Sequence, residues 1–512
     1  MKNYSAILLL VLLSSCSSIR KHNEQRASCI PPEQLKEDID YAYSKLQQMH
    51  PQLYWYIPKQ ELDYKFDSLK QTITEPLTPL QFYFKFQPVI ASIREGHLSL
   101  RIPRKKFTKQ EIKKLEHTKG LFSRFEYYID GDHMYIIQNR DAIENIKPGT
   151  EILKIDNIAV SDYIKKYRSL ISSDGYNTTF HSYFLKDLFF NFYTAENGLS
   201  NTAIIETLYE GEKHTYTLSR ESKSETDLDK DKEMKKRTQE KKVNDYVAAS
   251  NSYNRSFKFL DKDSTIAYLQ VKSFSRDYSD KFYKETFAKI KNAKSSYLII
   301  DVRNNYGGSL HEINNLYSYL TDKPFTLIKP SQVTSKTTPL RTNYFRKSTP
   351  LEYAFKSIAY PSYFFAQAFS TYKKDGKTFY KMKVDKPTKP NKESFNGKVF
   401  VLINGGSFSA SSIITAKLKS DKKAILVGEE TGGANDGTVA GFYSYQQLPN
   451  TKIKFPIGLL FVQPNIDFRD SKKGVTPDIV IKESMQDIID KKDPQLDWIK
   501  NKINIEKEKF SQ

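Results

Sequence analysis

Two places in the sequence bring small residues to the end of a buried apolar run. At Asp301-Val302-Arg303-Asn304-Asn305-Tyr306-Gly307-Gly308 the run that starts at Tyr297 gives way to paired glycines. Without a Cβ, such a turn lets backbone N–H groups converge on a negative oxygen. At Asn404-Gly405-Gly406-Ser407-Phe408-Ser409-Ala410-Ser411-Ser412 a second run, Val399 to Ile403, meets small residues and then a helical stretch from Ile413 to Leu418. A serine at a helix start lies beside unpaired N–H donors and the positive end of the helix dipole, which suits an attacking alkoxide and the oxyanion that follows. Taken singly, the serine is a cap and the glycine pair a turn. A hydroxyl nucleophile also needs a base, and the sequence holds eight histidines. A neutral imidazole accepts a proton near neutral pH, whereas a lysine must first be desolvated. The bland reading of His97 is a buried structural histidine, and His50, before Pro51, reads as a helix end.

The elements that must hold these residues form an α/β (α+β) multidomain chain. Leu35, Ile39, Ala42, Leu46 and Met49 recur at steps of four and three, the mark of an amphipathic helix that stops before Pro51. Leu62, Phe66, Leu69 and Ile73 repeat the pattern, and a third helix is expected from Pro79 to about Arg94, followed by a strand through Leu98, Leu100 and Ile102. Residues 31–115 are thus an N-terminal helical region. From 116 to 220 short strands dominate, among them His133–Ile137 and Glu151–Ile155, with turns at Pro148-Gly149 and Asp156-Asn157. This segment resembles a PDZ domain, which captures extended peptides by strand addition, with a generic small β-domain as the alternative. Residues 221–256 are dense in Lys, Glu and Asp and read as a charged linker or a surface helix. Residues 257–490, with apolar strands at 265–271, 297–302 and 399–403 alternating with helices, form the expected catalytic core, and 491–512 a C-terminal helix or tail.

In this order, Gly96-His97, the Asp301–Gly308 segment, Gly406 to Ser412, Val427-Gly428-Glu429-Glu430-Thr431-Gly432-Gly433 and Gly474-Val475-Thr476-Pro477-Asp478 resemble the tail-specific, or C-terminal processing, serine peptidases and their tricorn-type relatives. The resemblance covers most of residues 30–490. It implies a peptidase core of ClpP/crotonase-like type, Ser409 as nucleophile, and oxyanion donors from the backbone of Ala410 and of Gly307 or Gly308. It implies no cofactor and no metal. Processing peptidases carry a lysine in the glycine-rich turn after the serine, where this sequence has Ala434 and then Asn435. The tricorn-type branch uses a histidine from before the PDZ-like domain, and His97 stands there. That branch also uses a carboxylate ahead of the Gly-Val-x-Pro-Asp motif, for which Asp470, with Asp467 behind it, is the candidate, although the family usually has Glu. Its auxiliary serine beside the histidine is replaced here by Gly96, with Ser99 as a stand-in. The expected function is serine endopeptidase action on extended or unfolded polypeptides, captured among other features through their C-termini. The alternative is an inactive relative that binds peptide ends. A polysaccharide hydrolase would need paired acids in a cleft, and no such pair stands out in the sequence.

Met1-Lys2-Asn3, an apolar run from Ala6 to Leu13 and then Ser14-Ser15-Cys16 look like a bacterial lipoprotein signal, too short to span a bilayer. On that reading residues 1–15 are removed, Cys16 is lipidated and tethers the chain through 16–30, and the protein faces the periplasm or the cell surface. The alternative is an ordinary secretory signal with an incidental cysteine. The 512 residues carry 80 Lys and Arg against 60 Asp and Glu, a net +20. The bases are dispersed among acids, which disfavours nucleic acid as a partner. Two cysteines and no Cys/His cluster exclude a disulfide scaffold or a zinc site.

Overall fold

A computed structural model describes residues 19–140, 146–240, 245–247, 252–275, 278–346, 348–467 and 472–511. Cys16 and the expected signal peptide lie outside the described residues, as does Asp470.

The expected helices at the start form over Pro32–Met49, Lys59–Gln71 and Pro79–Ala91. Each buries the stripe its spacing marks, as with Leu35, Ile39, Ala42, Leu46 and Met49 of the first. Two expectations fail here. Residues 19–27 are helical, where a tether was expected. Arg26 Nε donates to Pro103 O at 2.7 Å, so this segment is fastened to the body. The strand through Leu98–Ile102 does not form, because the N–H of Leu100 goes to the Gln87 side chain at 2.8 Å and that of Arg101 to Lys454 O at 2.7 Å. Its alternation is kept: Leu98 and Leu100 are both buried.

The next unit is an antiparallel sheet of strands Phe125–Asp130, His133–Asn139, Thr150–Ile155, Thr202–Tyr209 and Glu212–Ser219 in that spatial order, with Phe125–Asp130 at one edge. Two helices, Val160–Arg168 and Thr179–Asn197, are inserted in it. Its apolar residues and those of the N-terminal helices fuse into one continuous core, which also takes in Phe408, Phe455 and Ile457. The charged segment 221–256 holds a helix, Glu225–Glu240, and its last two residues open a strand, Arg255–Phe259.

That strand is the antiparallel edge of a six-stranded sheet, ordered Ile479–Val480, Ile425–Gly428, Lys398–Ile403, Tyr297–Asp301, Ile266–Val271, Arg255–Phe259; the other neighbours are parallel. Leu269, Leu298, Ile300, Val401 and Leu426 face one core, while Tyr268, Ile299, Phe400, Leu402 and Val427 face another that the C-terminal helix Pro494–Ser511 closes with Ile499 and Ile503. A sheet covered on both faces reads as continuous apolar runs, which is why its strands were visible in the sequence. A second, antiparallel sheet orders Thr371–Lys374, Lys377–Tyr380, Ser331–Val333, Lys454–Val462 and Thr438–Gln447. The first residue of its edge strand, Thr438, reaches the candidate site.

Candidate active site

Both glycine-rich turns leave the same ends of adjacent parallel strands. Arg303 fixes the first by gripping Asp301 (2.7 Å from Nη2) and Asp493 (2.9 Å from Nη1). Asn305, fully buried, donates to Val271 O at 2.8 Å and accepts the N–H of Gly307 at 2.9 Å. In the second turn Asn404 Oδ1 accepts from the N–H of Gly406 at 3.0 Å and of Asn304 at 2.9 Å, tying the two turns together.

The serines of the second turn have different partners. Ser407 Oγ donates to Val302 O, Ser411 Oγ to Asn305 O and Ser412 Oγ to Ser407 O, at 2.8, 2.7 and 3.1 Å. Ser409 Oγ instead lies 3.2 Å from His97 Nε2. Ser409 precedes the helix Ala410–Ser420 with φ +56° and ψ −116°, outside both helical basins. A non-glycine residue held there stores strain that the surrounding contacts must overcome, a feature concentrated at functional sites. As the first helical residue, Ala410 has an N–H with no intrahelical acceptor. Gly307 has φ +100°, and a Cβ on it would lie 2.7 Å from Ser409 Cβ and 2.9 Å from Ala410 N. Its N–H is committed to Asn305. The N–H of Gly308 has no hydrogen-bond partner among the described residues, which separates two glycines that the sequence leaves equivalent. Gly308 is also pinned: a Cβ on it would lie 2.0 Å from Phe274 O.

Behind His97 lies a buried acidic pair. Nδ1 is 3.0 Å from Thr438 Oγ1 and 3.4 Å from Glu95 Oε1. Thr438 Oγ1 is 3.0 Å from Glu95 Oε1 and 3.2 Å from Asp174 Oδ1. Glu95 Oε2 accepts the N–H of Val439 at 2.9 Å, and Asp174 Oδ1 that of Gly96 at 2.7 Å. Burial is the main force on all three titratable groups. It lowers His97 from its ordinary value, against the opposing charge of Asp174. It raises Glu95 to about 7 and pushes Asp174 well above the ordinary carboxylate range, with the Glu95 charge adding to the effect. Two acids in one dry site cannot both ionise, and burial raises Asp174 well above its ordinary range, so Asp174 is the one that keeps a proton; its Oδ2 is buried with no hydrogen-bond partner among the described residues. The arrangement therefore carries one negative charge, on Glu95.

Glu95, His97 and Asp174 are also the only group among the described residues with three metal-ligand atoms close together, within 4.8 Å of one another. Thr438 Oγ1 already sits among them at 3.0–3.2 Å from each. A cation would need that position.

Of the residues expected from the sequence, the structure brings together Ser409, His97, Ala410, Gly307 and Gly308. Asp467 is exposed, its N–H 3.3 Å from Ser420 Oγ at the far end of the helix that Ser409 opens. The hydroxyl at Nδ1 belongs to Thr438 rather than to Ser99. Ala434, where a lysine was looked for, is buried and pairs with Gly474. Gly96 is required by packing: a Cβ there would lie 2.5 Å from Phe408 Cζ and 3.0 Å from Asp174 Oδ1. Glu95 and Asp174 carry no motif of their own in the sequence; the adjacency of Glu95 to Gly96-His97 is the one local signal for the first.

A strained serine at a helix start, a histidine within hydrogen-bond reach and a glycine turn beside both form an arrangement that can carry serine-hydrolase chemistry on an α/β core. Residues 265–481 match Peptidase family S41, so this stretch is a domain of that family and the chain is a serine-type peptidase. It contains Ser409 and both glycine turns; His97, Glu95 and Asp174 lie outside it. Among solved structures the chain is similar to mature CPAF, at 16% identity over 90% of this chain and 94% of that one, with a TM-score of 0.54. It is similar also to mature CPAF complexed with lactacystin, at 16% identity over 90% and 96%, with a TM-score of 0.55. At such identity these likenesses show a shared fold. No curated protein matches the sequence significantly.

Proposed function

We propose that the protein is an envelope-located serine endopeptidase acting on extended polypeptides through an acyl-enzyme on Ser409, with His97 as its base. The observation that carries this reading is the 3.2 Å approach of His97 Nε2 to Ser409 Oγ. Nε2 takes the hydroxyl proton as Oγ bonds to the scissile carbonyl carbon, whose oxygen becomes negative between the N–H groups of Ala410 and Gly308. Donors of this kind each contribute roughly 3 kcal/mol to transition-state stabilisation. The imidazolium that forms is stabilised through Nδ1–H to Thr438 Oγ1 and Thr438 O–H to Glu95, while Asp174 Oδ1 holds the Gly96 N–H beside His97. His97 then returns its proton to the leaving amine, and water clears the ester by the same steps in reverse roles.

Two edge strands suit an extended chain, although the Asn343 side chain takes the N–H and C=O of Tyr445 on the first. Thr438–Gln447 starts beside His97, and Phe125–Asp130 borders a cavity of about 380 Å³ whose charged lining is Lys186 and Lys482 with Glu126, Asp130, Glu429 and Glu483. In this reading the cavity takes a peptide end, and the chain is tethered by lipid on Cys16. The test is cleavage of an unstructured protein by the chain from Ile19 onward, beside Ser409→Ala and His97→Ala. Loss of cleavage in both variants with unchanged circular dichroism is expected. An inert wild type that still binds peptide ends would replace this reading with a binding protein. Equal cleavage of peptides with free and amidated C-termini would remove the cavity from it.

A further inference from the structure

The helix Pro350–Ala368 joins two strands of the antiparallel sheet and begins with a full capping box, Thr349 Oγ1 accepting from the Glu352 N–H and Glu352 Oε2 from the Thr349 N–H. One narrow stripe of it is packed. Tyr363 stacks on Tyr344 at 4.2 Å, Tyr360 lies 5.7 Å from Tyr344, and Lys356 sits over the same ring. The opposite stripe follows the same helical spacing, Leu351, Phe355, Ile358, Ser362, Phe365 and Phe369, the last being the C-cap residue. Its five large apolar residues are each 61–79% exposed. They form a ridge about 27 Å long at a helical rise of 1.5 Å per residue. Every exposed phenylalanine among the described residues is on this helix or its C-cap. An apolar stripe turned outward in this way marks an interaction surface.

The charge around it selects the partner. Residues 341–381 hold eight Lys or Arg, only two acids and twelve aromatic residues, a net +6 on 41 residues. Glu352, one of the two acids, is consumed by the cap. Lys373, Lys374 and Lys377 are exposed on the hairpin that follows the helix, and Arg341 and Arg346 are exposed before it. A second copy of the chain would set one +6 face against another. An anionic bilayer complements both features at once, because its surface attracts the bases while its acyl boundary accepts the aromatic and aliphatic side chains.

We propose that the Pro350–Phe369 helix is a membrane-surface docking element that lays Leu351, Phe355, Ile358, Phe365 and Phe369 into the headgroup boundary of an anionic bilayer, with the flanking lysines and arginines on its phosphates. This contact is made by the folded chain itself and is independent of any lipid on Cys16. The helix hangs from the segment 341–346, where Arg346 stacks on Tyr445 of the strand whose Tyr443 neighbours His97. Docking would therefore present the active-site side of that sheet near the lipid surface.

The test uses the chain from Ile19, which retains all three apolar cores, and flotation with vesicles of phosphatidylglycerol and phosphatidylethanolamine or of phosphatidylcholine alone. Expected are binding to the anionic vesicles that weakens as salt is raised, and an at least ten-fold lower partition for the triple variant Phe355→Ser, Ile358→Ser, Phe365→Ser. Lys373→Glu with Lys374→Glu should lower it by about ten-fold. Ser409→Ala should float like the wild type, which separates this proposal from the peptidase reading. No flotation of the wild type at low salt, or equal flotation of the triple variant with native circular dichroism, would overturn the proposal. A wild-type dimer that the triple variant splits, with no vesicle binding, would overturn it in favour of a contact between copies.

Discussion

The acidic pair behind His97 makes an asymmetric prediction, because the two carboxyls do different jobs at similar burial. In Asp174→Asn the amide oxygen still accepts the Gly96 N–H, as Asp174 Oδ1 does at 2.7 Å. The NH2 group takes the place of Oδ2, which has no hydrogen-bond partner among the described residues. No bond is lost and no charge changes, since Asp174 is already neutral. The effect on kcat/KM should stay within about ten-fold, the equivalent of one ordinary hydrogen bond's net contribution. In Glu95→Gln the single amide oxygen must serve either Val439 N–H or Thr438 O–H, which Glu95 satisfies with separate oxygens at 2.9 and 3.0 Å. Its NH2 then faces a donor, at a cost to stability of about 1–3 kcal/mol. The negative charge that steadies imidazolium is gone as well, and removal of such a charge in serine peptidases lowers kcat by roughly 10³–10⁴-fold. The assay is kcat/KM on a fluorogenic unstructured protein, with thermal unfolding run alongside to separate stability from chemistry. If Asp174→Asn falls as far as Glu95→Gln while staying folded, the proton has been placed on the wrong carboxyl and the relay is refuted.

Thr438→Val keeps the shape of the strand start but breaks the link from Nδ1 to Glu95. It should lower kcat about ten- to hundred-fold with KM little changed, and a change in KM alone would count against the relay. Gly96→Ala forces a methyl to within 2.5 Å of Phe408 Cζ, and that ring is confined between Phe180 and His97 at 4.6 and 5.0 Å. Overpacking there should cost about 1–3 kcal/mol and displace His97, so both melting temperature and kcat should drop. Activity should rise with pH. Burial lowers His97 from 6.5 and keeps it a free base at neutrality, while Glu95, raised to about 7, is ionised only above that value. The acidic limb of kcat/KM should therefore lie near 7 in the wild type and move below 6.5 in Glu95→Gln. A limb that stays near 7 in that variant would mean that Glu95 does not titrate with the active site.

The serine cluster Ser407–Ser412 and the glycine turns were legible as local patterns with a physical reason, serines at a helix start and glycines where backbone must approach backbone, whereas Ser409 among those serines and His97 among the histidines rested on the family resemblance; the structure brings these residues together. Asp174 and Thr438 were not legible because their roles exist only after three distant segments converge. Asp174-Gly175 reads as a turn, and Thr438 as the first residue of a strand. The expectation for Asp470 and Asp467 rested on order along the chain, and order does not report distance. Asp467 shows this, standing exposed at the other end of the helix that Ser409 begins. The Leu351–Phe369 stripe has a different difficulty. Its spacing matches that of Leu35–Met49, and periodicity states only that one helical face is apolar. Whether that face meets a core is decided by what the rest of the chain can place against it. For Leu35–Met49 the partners are Phe66 and Phe86 in the same core. For Leu351–Phe369 the folded chain spends its contacts on the opposite face, through Tyr344 and Phe345, and leaves the apolar ridge outward. An exposed apolar ridge of this size marks an interaction surface, and the surrounding positive charge makes an anionic lipid surface the partner to test.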